Sequence, residues 1–310
     1  MKMMFLSKTK YFLILSCLII IAGLAVGLIS GGLNLGIDFT GGSILTVNIG
    51  QVYDQPVIEK ALSDNGVDPA TAQIVSAEDG TQAIIRMQVV SEDTDIAQLR
   101  DDILTSIQAT YPNATATDME TVGGVSSSEI VMNAFLSVVI ASVLMLVYIW
   151  IRFALFSGIA GVIALIHDVL IMTAFMSITR VQINSSFIAA CLTIVGYSIN
   201  DTIVVFDRIR ENNRIIGGRG FTRTQIADIS IRETLPRTIN TSLTTLITIL
   251  AVYIFGVASI KEFALPIIIG LISGTYSSIF IASPIWIGLE DWNDRRRHKK
   301  MSAKPAGQKA

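Results

Sequence analysis

Long apolar runs alternate with polar stretches along the chain, and six of these runs are long enough to decide its architecture. Each approaches or exceeds the roughly 20 residues that a helix needs to cross a bilayer. Because the hydrocarbon core offers no water to backbone polar groups, such runs are expected to be helical. The first run is longer than the apolar part of a signal peptide, roughly 7–15 residues, so we interpret it as a retained helix. The predicted membrane helices cover residues 11–30, 130–151, 155–178, 184–206, 239–257 and 263–288.

The longest polar stretch, residues 31–129, has the mixed pattern of a folded domain. Alternating runs indicate strands, and helices are indicated by an early Pro56 with Gly66 after the end, or by a one-sided apolar face. The order β-α-β-β-α-β is the ferredoxin-like pattern. We therefore predict an α-helical polytopic membrane protein, with six transmembrane helices and one external ferredoxin-like α+β domain. The predicted strands are 43–49, 72–76, 82–90 and 115–122, and the predicted helices are 56–65 and 95–109.

Composition and charge agree with a membrane protein. Mean hydropathy is +0.60, and only 15% of the residues are charged, as is typical of membrane-spanning chains. Of the 23 Lys and Arg residues, 18 fall on the side that carries both termini. The positive-inside rule therefore predicts that residues 1–10, the basic loop 207–238 and the basic tail 289–310 are cytoplasmic. The tail is expected to attract anionic lipids, and no feature indicates nucleic-acid binding.

Polar side chains interrupt the fourth predicted helix in the stretch VGYSINDTIVVFDRIREN. Asp201 is the most unusual of them, since a charged side chain at mid-bilayer costs about 2.5–3.5 kcal/mol on insertion scales. Tyr197 and Asn200 lie on the same helical face as Asp201. A carboxylate in this position protonates, pairs with a cation or faces water, so Asp201 needs a partner.

The fifth predicted helix offers such a partner in Arg237, which lies near its start. The depths of Asp201 and Arg237 along their helices are compatible at about 1.5 Å per residue, so we predict that the two side chains pair. The pair is either a proton-responsive switch, which we favour, or a purely structural link. A row of threonines continues the face of Arg237, at Thr241, Thr244, Thr245 and Thr248.

The third predicted helix carries His167 and Asp168 near its centre. A His beside an Asp at mid-membrane is a second candidate for proton handling. A packed, permanently hydrogen-bonded Asp168 is an equally good interpretation. The external region contains no His, no Cys and no nucleophile elbow, and no metal-ligand spacing occurs, so we expect neither an enzyme, nor a metal, nor a cofactor.

Small residues recur at intervals of four in the first and last predicted helices. Such faces allow helices to approach closely, either within one chain or between partners. The residues concerned are Gly23 and Gly27 in the first helix with Gly31 directly after it, and Gly270, Gly274, Ser278 and Ala282 in the last.

Several of these segments resemble one known family. LGIDFTGG, residues 35–42, looks like a signature of SecD and SecF, and the two polar membrane segments VGYSINDTIVVFDRIREN and LPRTINTSLTTLITILAVYIFG look like the SecF branch. ALIHDVL on the third helix also fits. The chain is thereby identified as a member of the SecD/SecF family, within the resistance-nodulation-division superfamily. The family junction motif falls on Gly36, Asp38, Gly41 and Gly42, where Asp38 is expected to cap a turn or a helix end.

The resemblance implies a function in protein export across the bacterial cytoplasmic membrane. SecF-like proteins pair with SecD into a twelve-helix unit that works with the SecYEG channel and, in many bacteria, with YajC. That unit uses the proton motive force, with the proton as coupling ion, to pull secretory preproteins outward and release them. The functional charges of the family fall on Asp201 and Arg237. A shift of the external domain coupled to protonation is the expected mechanism.

Two other functions stay open on the sequence. A passive scaffold within the translocase predicts that Asp201 can be neutralised without loss, provided that the complex assembles. A half-transporter for small molecules is disfavoured, because efflux relatives usually carry two large external loops. The second external connection here, residues 177–184, is very short.

Overall fold

The computed structural model describes residues 5–69, 72–77, 80–87, 95–117, 119–122, 124–152 and 155–302. Within these ranges the chain is mostly helical, with one small sheet, and 6 helices are long and apolar enough to cross a membrane. The predicted class, a polytopic helical membrane protein, is confirmed. The candidate spans are Leu6–Ile29, Ser127–Ile151, Leu155–Thr179, Ser185–Ile216, Arg223–Phe255 and Ile260–Arg296.

Ten α-helices and five strands occur among the described residues, together with a 3₁₀ turn at Leu6–Lys8 and a π-helical segment at Ser278–Ala282. The helices are α1 (Thr9–Ile29), α2 (Ile37–Thr40), α3 (Gln55–Asp64), α4 (Ile96–Gln108), α5 (Gly124–Arg152), α6 (Leu155–Thr179), α7 (Ser185–Ile216), α8 (Arg223–Phe255), α9 (Ala258–Ser277) and α10 (Ser283–Ser302). The strands are β1 (Gly42–Asn48), β2 (Gln73–Ala77), β3 (Gln82–Met87), β4 (Thr115–Ala116) and β5 (Glu120–Val122).

The region between α1 and α5, which we call the sheet domain, contains all five strands. Their order is β2-β3-β1-β4, with every pair antiparallel, and β5 also pairs with β1. The elements follow the predicted β-α-β-β-α-β order, but the sheet is small and the ferredoxin-like pattern is only partly seen. The prediction of one continuous strand over 115–122 was wrong. Between β4 and β5 the register against β1 moves by one residue.

The core of the sheet domain forms where β1 and β3 face α3 and α4. Alternate residues along the strands point to one side, so Leu45 and Ile85 are fully buried there. From the helices, Ile58, Ile103 and Ile107 meet them with no exposed surface. This self-contained core explains why the domain has a soluble-type pattern between two membrane helices. Residues 88–90 of the predicted third strand lie outside the described residues.

Helices α6, α7 and α9 form the centre of the membrane bundle, where half or more of their apolar spans is buried, whereas α1, α5 and α8 are largely exposed. The small-residue faces pack within this chain. A Cβ at Gly23 would lie 2.6 Å from the Cβ of Ala174 on α6, and one at Gly270 would lie 2.5 Å from a side-chain carbon of Ile194 on α7. These close approaches bring the polar side chains of four helices within reach of each other.

The predicted basic loop 207–238 is mostly helical in the structure. Helix α7 continues to Ile216 and α8 begins at Arg223, which leaves only residues 217–222 between them. A capping box, in which the side chains of Thr222 and Gln225 bond each other's backbone N–H, starts α8. The arginines of this segment suggested a loop, but apolar residues on one face, such as Ile231, are buried against the bundle.

The sixth predicted helix, 263–288, is longer and interrupted. Helix α9 ends at Ser277, a π-helical segment follows, and α10 extends into the predicted tail as far as Ser302. Arg223 at the start of α8 donates to Asp294 at 2.6 Å and to Asp291 at 3.2 Å, which holds α10 beside α8. Part of the predicted basic tail is therefore helical, and its acidic residues pair with Arg223 of α8.

Candidate functional site

The junction motif after α1 docks on the connection between α6 and α7. The N–H of Gly36 donates to the carbonyl of Ile183 at 2.7 Å, and the N–H of Ile183 donates to the carbonyl of Asn34 at 2.8 Å. Asp38 accepts a hydrogen bond at 2.8 Å from the N–H of Ser185, the first residue of α7. Asp38 therefore caps a helix end, which is one of the two roles expected for it. The capped helix is α7, which lies far from Asp38 in the sequence.

The glycines of this motif meet two different requirements. Gly41 and Gly42 have φ values of 72° and 146°, which side-chain-bearing residues rarely adopt. A Cβ at Gly42 would also lie 2.3 Å from the carbonyl oxygen of Met87 on β3. Gly36 instead allows close approach, since its Cβ would lie 3.0 Å from that of Asn184. The motif thus sets the sheet domain directly against the start of α7.

A buried group of polar side chains joins four helices at Asp168, whose side chain is wholly inaccessible. Its Oδ1 accepts from Ser273 at 2.6 Å, and its Oδ2 accepts from Ser198 at 2.6 Å and from Ser277 at 2.9 Å. The Nδ1 atom of His167 lies 3.0 Å from Oδ1. Both carboxylate oxygens are therefore satisfied by donors from α6, α7 and α9.

His167 extends this group to α1. Its Nε2 atom lies 2.8 Å from the hydroxyl of Ser16 and 3.2 Å from that of Tyr276, and these two hydroxyls are 3.0 Å apart. The Asp168 cluster, as we call the whole group, consists of Ser16, His167, Asp168, Ser198, Ser273, Tyr276 and Ser277. Since hydrogen-bonded groups in a low-dielectric interior reinforce each other, the cluster is expected to hold four helices in one arrangement.

Asp201 on α7 lies in a different kind of environment. It is only 3% exposed, yet its one hydrogen bond in the described part of the chain comes from the hydroxyl of Ser242 at a long 3.4 Å. Thr275 on α9 donates in turn to Ser242 at 2.8 Å. A bond of this length is weak. Asp201 therefore faces Ser242 of α8 and has no close hydrogen-bond partner in the described part of the chain.

The predicted pairing of Asp201 with Arg237 is not formed: no ion pair joins the two side chains among the described residues. Asp201 lies level with Ser242, which is about 7.5 Å further along α8 than Arg237 at ~1.5 Å per residue. Arg237 is exposed but lies near enough to Asp201 to interact electrostatically. The sequence indicated the right helices but could not supply their relative register.

A polar cavity of about 580 Å³ opens between α5, α7 and α8. Asn200, the neighbour of Asp201 in the sequence, lines it together with Arg237 and Asp207. Two predicted site residues thus reach a space that admits water, but Asp201 is not among the residues that line it. The other charged residues of its lining are Arg208, Glu211 and Glu233.

The remaining predicted residues lie one turn or more from Asp201. The hydroxyl of Tyr197 donates to the carbonyl of Thr241 at 2.9 Å and lies 2.8 Å from the hydroxyl of Thr245, which ties α7 to α8. Thr248 is exposed and bonds the carbonyl of Thr244 in its own helix. The threonine face is therefore divided between an inter-helix contact and an open surface.

Most of the hydroxyl partners of the two carboxylates were missed in the sequence. Ser and Thr in membrane helices often bond their own backbone or pack between helices, so a single hydroxyl residue does not indicate a particular partner. The available signal was spacing. Ser273 and Ser277 lie four residues apart, which places both on one helical face, and Ser198 lies three residues before Asp201.

Two family models match the chain. The model described as Protein export membrane protein SecD/SecF, C-terminal, matches residues 102–292, and the SecD/SecF GG Motif model matches residues 26–51. The first match covers more than half of the chain. Together with six candidate membrane helices and a docked junction motif, these matches define a polytopic membrane protein of the protein-export class. Within that class, the chain belongs to the SecD/SecF family.

Known relatives agree with this assignment. The protein translocase subunit SecF of Petrotoga mobilis is 35% identical over 304 residues, which cover 96% of this chain and 98% of the relative. SecDF of Bacillus subtilis is 36% identical over 95% of this chain, but the match spans 39% of that longer protein. The crystal structure of SecDF from Thermus thermophilus superposes with a TM-score of 0.82 at 33% identity, over 93% of this chain and 38% of the other. The chain thus spans about two fifths of its SecDF relatives.

Proposed function

We propose that this chain is a SecF-like subunit of the Sec protein-export machinery. In this proposal it acts with SecD and uses the proton motive force to assist preprotein translocation and release from the cytoplasmic membrane. Family membership supports the role in export. The observation that carries the proton-driven part is Asp201, a buried carboxylate with one long hydrogen bond among the described contacts, whose sequence neighbour Asn200 lines a polar cavity.

A second membrane unit is the first partner of this proposal. The SecDF relatives are much longer than this chain, and α5 and α8 expose most of their apolar surface. A SecD half that packs beside these helices would cover the open cavity. The family resemblance adds the SecYEG channel, YajC and secretory preproteins as further partners, and the basic tail favours anionic lipids. The excess of Lys and Arg supports cytoplasmic termini.

The proposed switch is a change of partner at Asp201. When ionised, the carboxylate attracts the charge of Arg237 and accepts from Ser242. When protonated, it loses the attraction to Arg237, and its new O–H can donate to Ser242 instead. The packing of α7 against α8 and α9 then has two alternatives that a proton selects. Transfer of one charge through the membrane potential supplies about 2.3 kcal/mol per 100 mV, so a few protons suffice for a conformational stroke.

The Asp168 cluster has a complementary role in this proposal. Its four donors and two satisfied oxygens suit a fixed anchor that keeps α1, α6, α7 and α9 together while Asp201 changes state. His167 and Asp168 form a second proton site only if the cluster itself opens. No cofactor other than the proton is required.

The test is preprotein release driven by the proton gradient, with Asp201→Asn compared to wild type at matched levels of the assembled complex. Release on the outer side is followed after ATP-dependent initiation, with and without the gradient. Asp207→Asn is the matched control, because this exposed carboxylate lies on the same helix and lines the polar cavity together with Asn200. We expect Asp201→Asn to lose the gradient-dependent part and Asp207→Asn to keep it. If Asp201→Asn secretes like wild type, the chain acts as a scaffold.

A further inference from the structure

One carboxylate at the start of α9 binds two parts of the molecule at once. The Oε1 atom of Glu262 forms an ion pair with Arg86 of β3, whose side chain is only 10% exposed. The Oε2 atom accepts a hydrogen bond at 2.6 Å from the side-chain amide of Asn184. Both oxygens of Glu262 are therefore engaged, one by the sheet domain and one by the membrane bundle.

The two partners of Glu262 belong to two different structural elements, α7 and β3. Asn184 is the N-cap of α7, and its side-chain oxygen accepts from the N–H of Phe187 at 3.2 Å. Arg86 lies on β3, opposite Ile44 of β1. Strand β1 begins at Gly42, the last residue of the junction motif. Asp38 of that motif caps α7 as well. The junction motif before β1 thus reaches the start of α7 through Asp38, and β3 reaches it through Arg86 and Glu262.

The two helices that meet at Glu262 also take part in the Asp201 site, together with α8. Helix α7 carries Asp201 itself, about 25 Å from Asn184 at ~1.5 Å per residue. Helix α9 carries Thr275, which bonds the Ser242 partner of Asp201 and lies about 20 Å from Glu262 at the same rise. A displacement of either helix at Asp201 therefore reaches Glu262 through a continuous, well-packed element.

We propose that Glu262 is a positioning residue that fixes the sheet domain to α7 and α9, so that helix movement at Asp201 becomes movement of the domain. The source of that movement rests on the proposed proton-driven function, whereas the attachment itself does not. An exposed ion pair would be too weak for such a role. Arg86 is nine-tenths buried, so loss of its partner leaves a largely desolvated charge.

The variants are Glu262→Gln, which removes one charge and keeps the size of the side chain, and Arg86→Gln, which removes the other charge and shortens the side chain. The exchanged pair Arg86→Glu with Glu262→Arg restores the attraction in the opposite sense. Arg100→Gln is the control, because it removes an ion pair with Asp101 that lies wholly inside the sheet domain. All variants are compared in the assembled complex with SecD and the channel.

Two quantities are measured. The first is the spread of distances between spin labels at Ser63 on α3 and Thr179 at the end of α6, both of which are exposed, after the two native cysteines have been replaced. The second is gradient-dependent preprotein release. We expect Glu262→Gln and Arg86→Gln to broaden the distance distribution and to lower release about fivefold or more, in the range of typical coupling factors. The exchanged pair should recover part of both, and Arg100→Gln should change neither.

Two results would overturn the proposal. A distance distribution that stays narrow in Glu262→Gln means that the domain is held by other contacts. A broad distribution with full release means that the attachment exists but transmits nothing. Asp201→Asn separates this proposal from the proposed function, because it should abolish gradient-dependent release while the distances stay narrow. If Asp201→Asn releases preprotein normally, the proton-driven function fails, and the distance measurement still decides the attachment.

Discussion

Asp168 and Asp201 are both buried carboxylates on neighbouring membrane helices, but their surroundings differ sharply. Four donors from three helices surround Asp168 at 2.6–3.0 Å. Among the described residues, Asp201 has a single donor, Ser242, at 3.4 Å, and its sequence neighbour Asn200 lines a polar cavity. A charged group that is fully hydrogen-bonded is hard to move, whereas one with few partners can exchange them at little cost.

The difference shows why burial alone does not identify a working carboxylate in a membrane. Intramembrane acids are functional candidates by default, and the sequence offered two of them. Hydrogen bonding distinguishes the two candidates. A carboxylate whose oxygens are fully hydrogen-bonded is suited to join helices, and one with few hydrogen bonds is suited to change its protonation state and its partners. We therefore assign Asp168 to the proposed anchor between helices and Asp201 to the proposed proton-responsive switch.

The largest expected effect is on stability at Asp168. Replacement by Ala leaves three serine hydroxyls and His167 without their shared acceptor, and we expect a loss of about 3–5 kcal/mol in unfolding free energy. Asp201→Ala should cost no more than about 1 kcal/mol, because it removes one long hydrogen bond. Denaturant unfolding in lipid or detergent measures both. Equal losses would remove the distinction between the two acids.

His167 tests whether the anchor also handles protons. His167→Phe keeps an aromatic ring but removes the bonds to Asp168, Ser16 and Tyr276, so we expect a loss of about 2 kcal/mol. Gradient-dependent release should persist at matched levels of folded complex. A variant with unchanged thermal stability but no gradient dependence would make His167 part of the proton path.

A pair of serines sharpens the comparison at single hydroxyls. Ser198→Ala removes a 2.6 Å bond to Asp168, and we expect a loss of about 1 kcal/mol with an unchanged pH profile of release. Ser242→Ala removes the only described donor to Asp201 and should alter that pH profile while stability hardly changes. The reverse pattern, a pH effect from Ser198→Ala alone, would assign the response to Asp168.

The smallest expected effect is at Tyr197. Tyr197→Phe removes the hydroxyl that bonds Thr241 and Thr245 across α7 and α8, and should cost about 0.5 kcal/mol in unfolding free energy. Release should stay gradient-dependent, because this contact lies a turn away from Asp201. Thr248→Val serves as the matched control, since Thr248 bonds only its own helix among the described contacts. Loss of gradient-dependent release in Tyr197→Phe would extend the responsive site to this turn.

Hydrophobic patterning predicted the six membrane helices and the order of elements in the sheet domain, because both depend on local periodicity. It also identified Asp168 and Asp201, because an acidic residue inside an apolar run can be recognised from the sequence alone. The helical segment at 207–238 was missed because its arginines dominate the composition, although Thr222 and Gln225 carry a recognisable capping box.

The partners of the two acids depend on three-dimensional register, which local patterns do not contain. Arg237 was predicted to meet Asp201 from its approximate depth, but the actual offset along α8 brings Ser242 there instead. Glu262 was not predicted at all, because its partners Arg86 and Asn184 lie 176 and 78 residues away in the sequence. Only the folded arrangement joins such residues.

The most direct test of the difference between the two acids is infrared difference spectroscopy of the protein in lipid as pH is lowered. A protonated carboxyl group in an apolar site gives a C=O band of its own. We predict a band that is lost in Asp201→Asn, shifted in Ser242→Ala and unchanged in Ser198→Ala. A band that survives Asp201→Asn and shifts in Ser198→Ala would belong to Asp168, and would contradict the assignment of Asp201 as the responsive acid.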